Sequence, residues 1–271
     1  MAPDDLYVAS RRALLDALET LGEQRESLVL IGAQAVYLHA PDDDLAVAPT
    51  TTDADLGLDP NLLADSPLLG ERLLAADFKP TKEPGIWMSR HGATVDLIVP
   101  ESLAGSGRRG ARLGVHGSKA ARRAAGIEGC LVDKAPMTIS ALDADHGARA
   151  FSLAVAGPAA LIVSKTHKIA DRRDEARGRL RDKDALDVYR LLRAVEPAAF
   201  SDGFERLLAS DLAAESTISA VRDFEALFAD PAGVGLDMTV RATETLIPEV
   251  EVRAALPLLA RGLLRAAGVA A

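Results

Sequence analysis

The chain has 271 residues, 48% of them hydrophobic, and a formal net charge of −9 at pH 7, so it can bury one large core or two small ones. The acidic balance and the aromatic content of 4% argue against a broad nucleic-acid footprint, and a lone cysteine excludes an intramolecular disulfide. The acidic start Met1-Ala2-Pro3-Asp4-Asp5 does not resemble a signal peptide and no apolar stretch is long enough to span a bilayer, so we expect a cytoplasmic protein without membrane contact.

Strand-like and helical patterns alternate through the first half of the chain, whereas the second half is helical. A first helix is predicted from Leu6 to Leu21, followed by strands near residues 28–31, 53–58, 86–89, 94–99, 137–142 and 151–155. From Pro158 onward the predicted helices include residues 182–195, 201–208, 213–228 and 254–264, punctuated by prolines at 197, 231, 248 and 257. We therefore expect an α/β (α+β) fold, with a mixed-sheet core over residues 1–157 and a helical domain over residues 158–271.

The first motif is a strand followed by small residues. Leu28 to Ile31 reads as a short buried strand, Gly32-Ala33 as a tight turn, and Gln34 to His39 as the start of a helix. A helix that begins without bulky side chains leaves its backbone N–H groups free to meet a phosphate. The same residues would also suit a close-packed strand-to-helix turn with no ligand, so the interpretation depends on the neighbouring motifs.

Two aspartates one residue apart carry the most information. In an extended strand Asp53 and Asp55 point to one face, while Ala54, Leu56 and Leu58 point to the other. Neighbouring carboxylates repel each other, and a divalent cation bound by oxygen ligands is the usual compensation. A solvated acidic edge is the alternative, because Asp-x-Asp is a common sequence.

A third aspartate stands alone in a later strand. Asp96 is the one charge in the apolar run from Thr94 to Val99, and an unpaired buried carboxylate is costly. The residue could face water at a sheet edge, or strand pairing could bring it beside Asp53 and Asp55.

Taken together, these pieces resemble the polymerase-β-type nucleotidyltransferases, and within them the AbiEii/MenT-type enzymes, many of which are the toxins of toxin–antitoxin pairs. The resemblance rests on Gly32-Ala33-Gln34-Ala35 with His39, on Thr51-Thr52-Asp53-Ala54-Asp55-Leu56 and on Val95-Asp96-Leu97. Two later family motifs are matched by Lys165 and by Asp184 with Asp187.

The resemblance implies a polymerase-β-like nucleotidyltransferase core and a helical domain that contributes to the active-site cleft. The implied ligands of Mg²⁺ are Asp53, Asp55 and Asp96. The implied nucleotide-binding residues are Gly32, Ala33, Asp53, Asp55 and Lys165, and the implied catalytic residues are the three aspartates with Lys165 and Asp187. A nucleoside triphosphate would give its monophosphate to an acceptor hydroxyl and release pyrophosphate. The implied acceptor is RNA, such as a tRNA 3′ end, and a cognate antitoxin protein is an implied partner.

Two features depart from the family pattern. Ala33 stands where glycine or serine is usual, and no arginine precedes the Asp-x-Asp motif, since the residues before Thr51 are Val47-Ala48-Pro49-Thr50. The second departure puts in doubt an arginine contact to the nucleotide from this loop, but it does not affect the metal site.

Helical spacing gives Lys165 and Asp187 a physical interpretation of their own. Lys165, Ile169 and Arg172 follow one side of a helix, and Asp184 and Asp187 share a side of the next one. If these helices pack antiparallel, Lys165 and Asp187 can form an ion pair. That pair could be a simple helix–helix clamp. Alternatively, Lys165 neutralises triphosphate charge and Asp187 orients either that lysine or the incoming nucleophile, which is the interpretation we favour.

Basic residues collect in two places. Between Gly105 and Gly126 every charged side chain is basic, and the expected contacts to a polyanionic acceptor are Arg108, Arg109 and Arg112. A second basic stretch runs from Lys165 to Lys183 and is diluted by four acidic residues. Its other basic residues are Lys168, Arg172, Arg173, Arg177, Arg179 and Arg181. Both stretches could equally be solvated surface.

Three functions therefore compete: a toxin-like nucleotidyltransferase acting on RNA, a nucleotidyltransferase acting on a small molecule such as an antibiotic, and a non-enzymatic binding module that retains the fold. The basic loop favours the first over the second, and three intact aspartates count against the third. The Gly105-x-Gly-x-x-Gly110 sequence does not directly follow a strand, so we do not interpret it as a dinucleotide-binding loop.

Overall fold

The computed structural model describes residues 4–41, 45, 48–143, 148–173, 182–244 and 246–268. The chain forms two compact units. The first comprises the described residues within Met1–Ala35 and Ala48–Ala156, and the second those within Val36–Val47 and Gly157–Ala271. The grouping of the segment after Ala35 with the helical unit has no signal in the sequence. None of the described helices is both long and apolar enough to cross a membrane.

The first unit is built on one mixed sheet. Its strands are β1 (Leu28–Ile31), β2 (Asp53–Leu58), β3 (Lys79–Pro80), β4 (Ile86–Met88), β5 (Thr94–Pro100), β6 (Arg122–Ala124), β7 (Lys134–Ser140) and β8 (Ala150–Ala156). Their order across the sheet is β3-β4-β5-β2-β1-β8-β7, with β6 alongside β5. β2 runs antiparallel to β1 and parallel to β5, and β1 runs parallel to β8. The predicted mixed sheet and α/β class are confirmed.

Three helices accompany the sheet, namely α1 (Asp5–Thr20), α2 (Gly32–His39) and α3 (Leu69–Ala75). α1 begins where the Asp4 carboxylate accepts a hydrogen bond from the Leu6 amide at 2.8 Å. It buries Leu14, Leu15 and Leu18 completely, on the side that lies against β2, β5 and β8. α2 follows β1 directly, so the end of β1 and the start of a helix lie next to β2.

The second unit contains six α-helices in the described residues. They are α4 (Pro158–Arg173), α5 (Asp182–Ala194), α6 (Pro197–Leu208), α7 (Ala214–Phe224), α8 (Val234–Thr243) and α9 (Glu249–Ala266). The single helix predicted over residues 213–228 instead ends at Phe224 and continues as a π-helical turn, Glu225–Ala229. Gly233 packs against that turn, because a Cβ there would overlap the Leu227 carbonyl.

Three prolines lie where the observed elements differ from the predicted bounds. Pro197 opens α6 four residues before the predicted start, and Pro257 lies buried inside α9, which spans Glu249–Ala266 instead of residues 254–264. Pro136 lies within β7, which begins three residues earlier than predicted. β7 is an edge strand, where a residue without an N–H is tolerated.

Candidate functional site

The strand register places two of the three aspartates side by side. β2 and β5 are parallel, and Asp55 pairs with Asp96 while Asp53 pairs with Thr94. Ala54, between the two aspartates of β2, is fully buried, whereas both aspartates are half-buried on the opposite face. The prediction that strand pairing brings Asp96 beside the Asp-x-Asp motif is confirmed.

Gly32 fits this corner of the sheet because it has no side chain. It follows Ile31, which pairs with Asp55, and its φ of +70° lies in the left-handed region. A Cβ at this position would overlap the Asp55 carboxylate. The expected separate Gly32-Ala33 turn is absent, since α2 begins at Gly32 itself. The start of the helix is thereby held close to Asp55.

Asp53 is anchored through both its side chain and its backbone. Thr51 Oγ1 donates to Asp53 Oδ1 at 2.8 Å, and Gln34 Nε2 donates to the Asp53 carbonyl oxygen at 3.3 Å. Gln34 is only 1% exposed. A side chain from the first turn of α2 therefore positions the backbone at the start of β2.

A buried polar layer supports Gln34. Arg11 Nε donates to Gln34 Oε1 at 2.7 Å, and the same guanidinium donates to the Tyr7 hydroxyl at 2.7 Å and to the Ser140 carbonyl at 2.9 Å. Gln34 Nε2 also donates to Ser10 Oγ at 3.1 Å. Because Arg11 is almost fully buried, these bonds replace the water that the cation has lost. The layer joins α1, α2 and the end of β7 behind the aspartates.

An arginine that the sequence did not single out contacts the paired carboxylates. Arg122 Nε donates to Asp96 Oδ2 at 3.1 Å, and a terminal nitrogen of its guanidinium lies 3.9 Å from Asp55 Oδ1. Arg122 begins β6, which runs beside β5, and it pairs with Ile98. Only this strand pairing brings the arginine to the aspartates, since nothing in the local sequence links them.

The carboxyl group of Asp96 is harder to ionise than an ordinary aspartate. Burial and the neighbouring Asp55 raise the pKa of Asp96 to about 7, against the opposing effect of Arg122 and with a further contribution from Asp53. The three carboxylates repel one another at this corner of the sheet, and Arg122 offsets part of that repulsion.

The metal-free protein should lose stability as the pH rises from about 4 to about 7, because folded Asp96 keeps a proton that the unfolded chain, with an ordinary pKa of 3.8, has released. Above about pH 7 the loss is complete. Asp96→Asn should remove this contribution and raise the free energy of unfolding at about pH 8 by a few kcal/mol at most, since one pKa unit corresponds to about 1.4 kcal/mol. Denaturant titrations with a chelator at about pH 5 and about pH 8 measure both proteins.

The matched control is Asp65→Asn, which changes an exposed carboxylate of the same unit. It should behave as the wild type at both pH values. The prediction would be contradicted if the unfolding free energy of Asp96→Asn decreased from about pH 5 to about pH 8 by as much as that of the wild type.

The aspartates do not form a complete metal site in this arrangement. Among the residues that the structure describes, no group of three or more Asp, Glu, His or Cys side chains is placed to hold a metal ion. Thr51 binds the Asp53 carboxylate, and Arg122 lies against those of Asp55 and Asp96. The donor chemistry nevertheless fits a hard cation, because Mg²⁺ prefers carboxylate oxygens and the three neighbouring carboxylates repel one another.

In the second unit, Lys165 forms the predicted ion pair with Asp187. Its Nζ lies 2.6 Å from Asp187 Oδ2 and 3.0 Å from Asp184 Oδ1, and all three side chains are buried. Lys168 and Arg172 add two further cations around Asp184, at 2.8 Å and 3.4 Å. The ion pair is therefore confirmed, and Asp184 is the most highly coordinated residue of this cluster.

Electrostatic interactions within the cluster favour the charged forms of Lys165 and Asp184. Burial disfavours the ammonium group, but Asp187 and Asp184 outweigh it and raise the pKa of Lys165 well above its ordinary value. Burial likewise disfavours the Asp184 carboxylate, yet Lys165 and Lys168 hold the pKa of Asp184 well below its usual range. Asp187 Oδ1 is buried without a hydrogen-bond partner among the described atoms. Because an unsatisfied acceptor is costly, the cluster is not optimised for packing alone.

The three arginines predicted to contact an acceptor all lie on the surface of the first unit, but they are not equivalent. All three are exposed, and Arg109 also forms an ion pair with Glu83 at 2.9 Å. In the second predicted basic stretch, Lys165, Lys168 and Arg172 lie on α4 and contact Asp184, whereas Arg177, Arg179 and Arg181 lie outside the described residues.

Arg123 ties down the glycine-rich start of this basic loop. Its guanidinium donates to the carbonyl oxygens of Gly105 and Gly107 at 2.9 Å and 2.6 Å, and it pairs with Glu101 at 2.9 Å. Arg123 therefore has a structural role in this loop and is unsuitable as a test of acceptor binding.

Comparison with known proteins adds no relative. No protein-family model, no curated protein and no solved structure matches this chain. A functional assignment therefore depends on the geometry of the two clusters and on the resemblance of the short motifs. Gly32, Asp53, Asp55 and Asp96 meet at one corner of the sheet, and Lys165 meets Asp187 within the helical unit.

Proposed function

We propose that this chain is a Mg²⁺-dependent nucleotidyltransferase, which transfers a nucleoside monophosphate from a nucleoside triphosphate to an acceptor hydroxyl. The proposal rests chiefly on the pairing of Asp55 with Asp96 on neighbouring parallel strands, beside the start of α2 at Gly32. Carboxylates for a metal ion and backbone N–H groups for a phosphate are two components that such a site requires. The order of the motifs, which resembles that of the AbiEii/MenT-type enzymes, supports the same function.

In the proposed reaction the acceptor hydroxyl attacks the α-phosphorus, and a new P–O bond forms while the bond to the bridging oxygen of pyrophosphate breaks. Asp53, Asp55 and Asp96 would hold Mg²⁺, which would supply positive charge for the attacking and leaving oxygens. Asp96 accepts the hydroxyl proton as the general base.

Arg122 takes part in this proposal as an exchangeable cation. It neutralises part of the charge on Asp55 and Asp96 in the metal-free chain, and it must release at least one of them when a metal ion binds. Its guanidinium can then bind a phosphate oxygen. Arg122 would thus replace the arginine that the family carries before Asp-x-Asp and that this chain lacks.

We assign Lys165 to the triphosphate and Asp187 to the orientation of that lysine, as the family resemblance implies. Their contact at 2.6 Å supports the orienting role. Asp187 Oδ1 has no hydrogen-bond partner among the residues that the structure describes. This supports a function beyond a helix–helix clamp, because a purely structural pair would be expected to satisfy both carboxylate oxygens.

The proposed acceptor is RNA, and the basic loop supports it. Replacing Arg108, Arg109 and Arg112 with serine should raise the apparent KM for RNA. The slope of log KM against log salt concentration should also decrease by up to about 2, since each lost phosphate contact removes about 0.7 from the slope for a single strand. The KM for the nucleoside triphosphate should hardly change, because its proposed site uses other residues. Initial rates at several salt concentrations measure both.

The control for charge is the triple change Arg90→Ser, Arg206→Ser and Arg222→Ser, which removes three other exposed arginines. It should leave the KM for RNA unchanged. An unaltered KM and salt slope in the loop variant would exclude the loop from the acceptor site. Glu83 already neutralises the charge of Arg109 in the loop. Because this leaves less positive charge for a polyanion, a small-molecule acceptor is the second candidate.

The experiment that tests the function is incubation of the chain with each α-labelled nucleoside triphosphate, Mg²⁺ and total RNA. The proposal predicts label on RNA and an equal amount of pyrophosphate, both lost in Asp55→Asn. Label on an added small hydroxyl compound instead would identify the small-molecule alternative. Nucleotide binding without any transfer or pyrophosphate would identify a binding module and would refute the enzymatic proposal.

A further inference from the structure

Strand β1 stops short of the start of β2 at the corner that holds the aspartates. The register of the two strands pairs Ile31 with Asp55, so Ala33 would pair with Asp53 if β1 continued for two more residues. The chain instead enters α2 at Gly32, and Ala33 is helical. The antiparallel ladder therefore ends before it reaches Asp53, the first residue of β2.

The Asp53 carbonyl faces the side of β2 that β1 does not cover. The Thr52 carbonyl accepts a hydrogen bond from the Thr94 amide of β5 at 3.5 Å, and successive carbonyls of a strand point to opposite sides. On the β1 side, Gln34 Nε2 donates to the Asp53 carbonyl at 3.3 Å. Thr51 Oγ1 lies 3.4 Å from the same oxygen but bonds more closely to Asp53 Oδ1, at 2.8 Å. The Gln34 amide thus takes the place of the N–H that a longer β1 would supply.

Two side chains of α1 decide which end of the Gln34 amide faces Asp53. Arg11 Nε, which can only donate, lies 2.7 Å from Gln34 Oε1. At the other end, Ser10 Oγ accepts from Nε2 at 3.1 Å and donates its own proton to the Tyr7 carbonyl at 3.1 Å. A reversed amide would set two donors against each other at Arg11 and two acceptors against each other at Asp53. Because Gln34 and Arg11 are almost fully buried, that conflict would be costly.

We propose that Gln34 is a positioning residue for the divalent cation: its amide, oriented by Arg11, holds Asp53 at the spacing from Asp55 and Asp96 that a shared ion requires. The inference rests on the metal site of the proposed function and extends that site to two side chains that do not touch the ion. A small octahedral cation such as Mg²⁺ tolerates little displacement of its oxygen ligands. Loss of a hydrogen bond that orients a ligand lowers metal affinity by about 10–100-fold as a rule.

Gln24 provides a matched control, because it anchors the loop that follows β2 and not an aspartate. It is 2% exposed, against 1% for Gln34, and it belongs to the same unit. Its Nε2 donates to the carbonyl oxygens of Ala64 and Pro67 at 2.9 Å and 3.0 Å, and its Oε1 accepts from the Ala64 amide at 3.0 Å. In the described part of the chain, both glutamines therefore donate two hydrogen bonds and accept one.

Mn²⁺ binding to the full chain tests the proposal, because Mn²⁺ suits the same oxygen ligands as Mg²⁺ and the paramagnetic resonance signal of the free ion measures its concentration. Gln34→Met should raise the dissociation constant for Mn²⁺ at least about tenfold. Gln24→Met should leave that constant at the wild-type value, although both substitutions should lower the melting temperature through the loss of buried hydrogen bonds. Far-ultraviolet circular dichroism verifies that each variant is folded at the temperature of the titration.

A double variant keeps the test decisive if Gln34→Met folds poorly. Arg11→Met combined with Gln34→Met removes both partners of the buried contact, which costs less stability than leaving the guanidinium without its acceptor. We expect the double variant to be more stable than Gln34→Met and to bind Mn²⁺ as weakly. Asp55→Asn, which removes a proposed ligand, should abolish the binding.

The outcomes separate this inference from the proposed function. Wild-type affinity for Mn²⁺ in the folded Gln34 variants, with binding lost in Asp55→Asn, would overturn the positioning role alone. An equal loss of affinity in Gln24→Met would trace the effect to reduced stability and would overturn that role as well. A wild-type chain that binds no Mn²⁺, or binding that Asp55→Asn leaves unchanged, would refute the metal site of the proposed function and this inference with it.

Discussion

Asp55→Asn should lower nucleotide transfer by more than about 100-fold while the protein stays folded. Loss of a residue that only supports a metal ligand already costs 10–100-fold as a rule, and Asp55 is a proposed ligand itself. Its pairing with Asp96 and its position over Gly32 place it at the centre of the site. Asp53→Asn should act in the same direction. Transfer assays and thermal melts on the same preparations give both quantities.

Removing charge from this corner should not destabilise the metal-free chain. Asp55 contributes to the raised pKa of Asp96, so its neutralisation relieves repulsion between carboxylates. We therefore expect the melting temperature of Asp55→Asn to equal or exceed that of the wild type. Asp65→Asn, which alters an exposed residue of the same unit, is the control for activity. Wild-type transfer rates in both Asp53 and Asp55 variants would refute the metal assignment.

Lys165→Met should reduce stability and activity together. The substitution leaves Asp184 and Asp187 buried without the ammonium group that contacts both of them. Breaking a buried ion pair in this way costs about 3–5 kcal/mol of unfolding free energy. Transfer per folded molecule should also fall strongly, because the lysine is proposed to stabilise charge that develops on the phosphates. Denaturant titrations measure the first effect, and rates corrected for the folded fraction measure the second.

Lys168→Met is the matched control for this change. Among the described residues Lys168 forms an ion pair with Asp184 only and is 39% exposed, whereas Lys165 is 5% exposed and binds both aspartates. The control should therefore cost much less stability. A Lys165→Met variant whose transfer per folded molecule equals that of the wild type would show the cluster to be a structural clamp.

The short-range parts of the site could be predicted from the sequence. Alternation along β2 places Asp53 and Asp55 on one face, and the structure has them there with Ala54 and Leu56 buried opposite. Helical spacing likewise predicted the ion pair of Lys165. Both predictions depend on periods of two or of about 3.6 residues, which the sequence displays directly.

The parts of the site that could not be predicted from the sequence depend on contacts between distant segments of the chain. Arg122 reaches Asp96 only because β6 lies beside β5, and Arg11 reaches Gln34 only because α1 packs near the start of α2. Neither arginine differs from a surface arginine in local pattern. α8 was missed for another reason, since Gly235, Thr239 and Thr243 have low helix propensity and only burial against its neighbours favours that helix.

The most direct test of the central claim is calorimetric titration of the chain with a non-hydrolysable nucleoside triphosphate analogue, since it requires no knowledge of the acceptor. The proposal predicts one site per chain in Mg²⁺, loss of binding with a chelator, and loss in Asp55→Asn but not in Asp65→Asn. Binding that is unchanged by the chelator and by Asp55→Asn, or no binding to the wild type in Mg²⁺ with any of the four nucleotides, would contradict a nucleotidyltransferase site at Asp55 and Asp96.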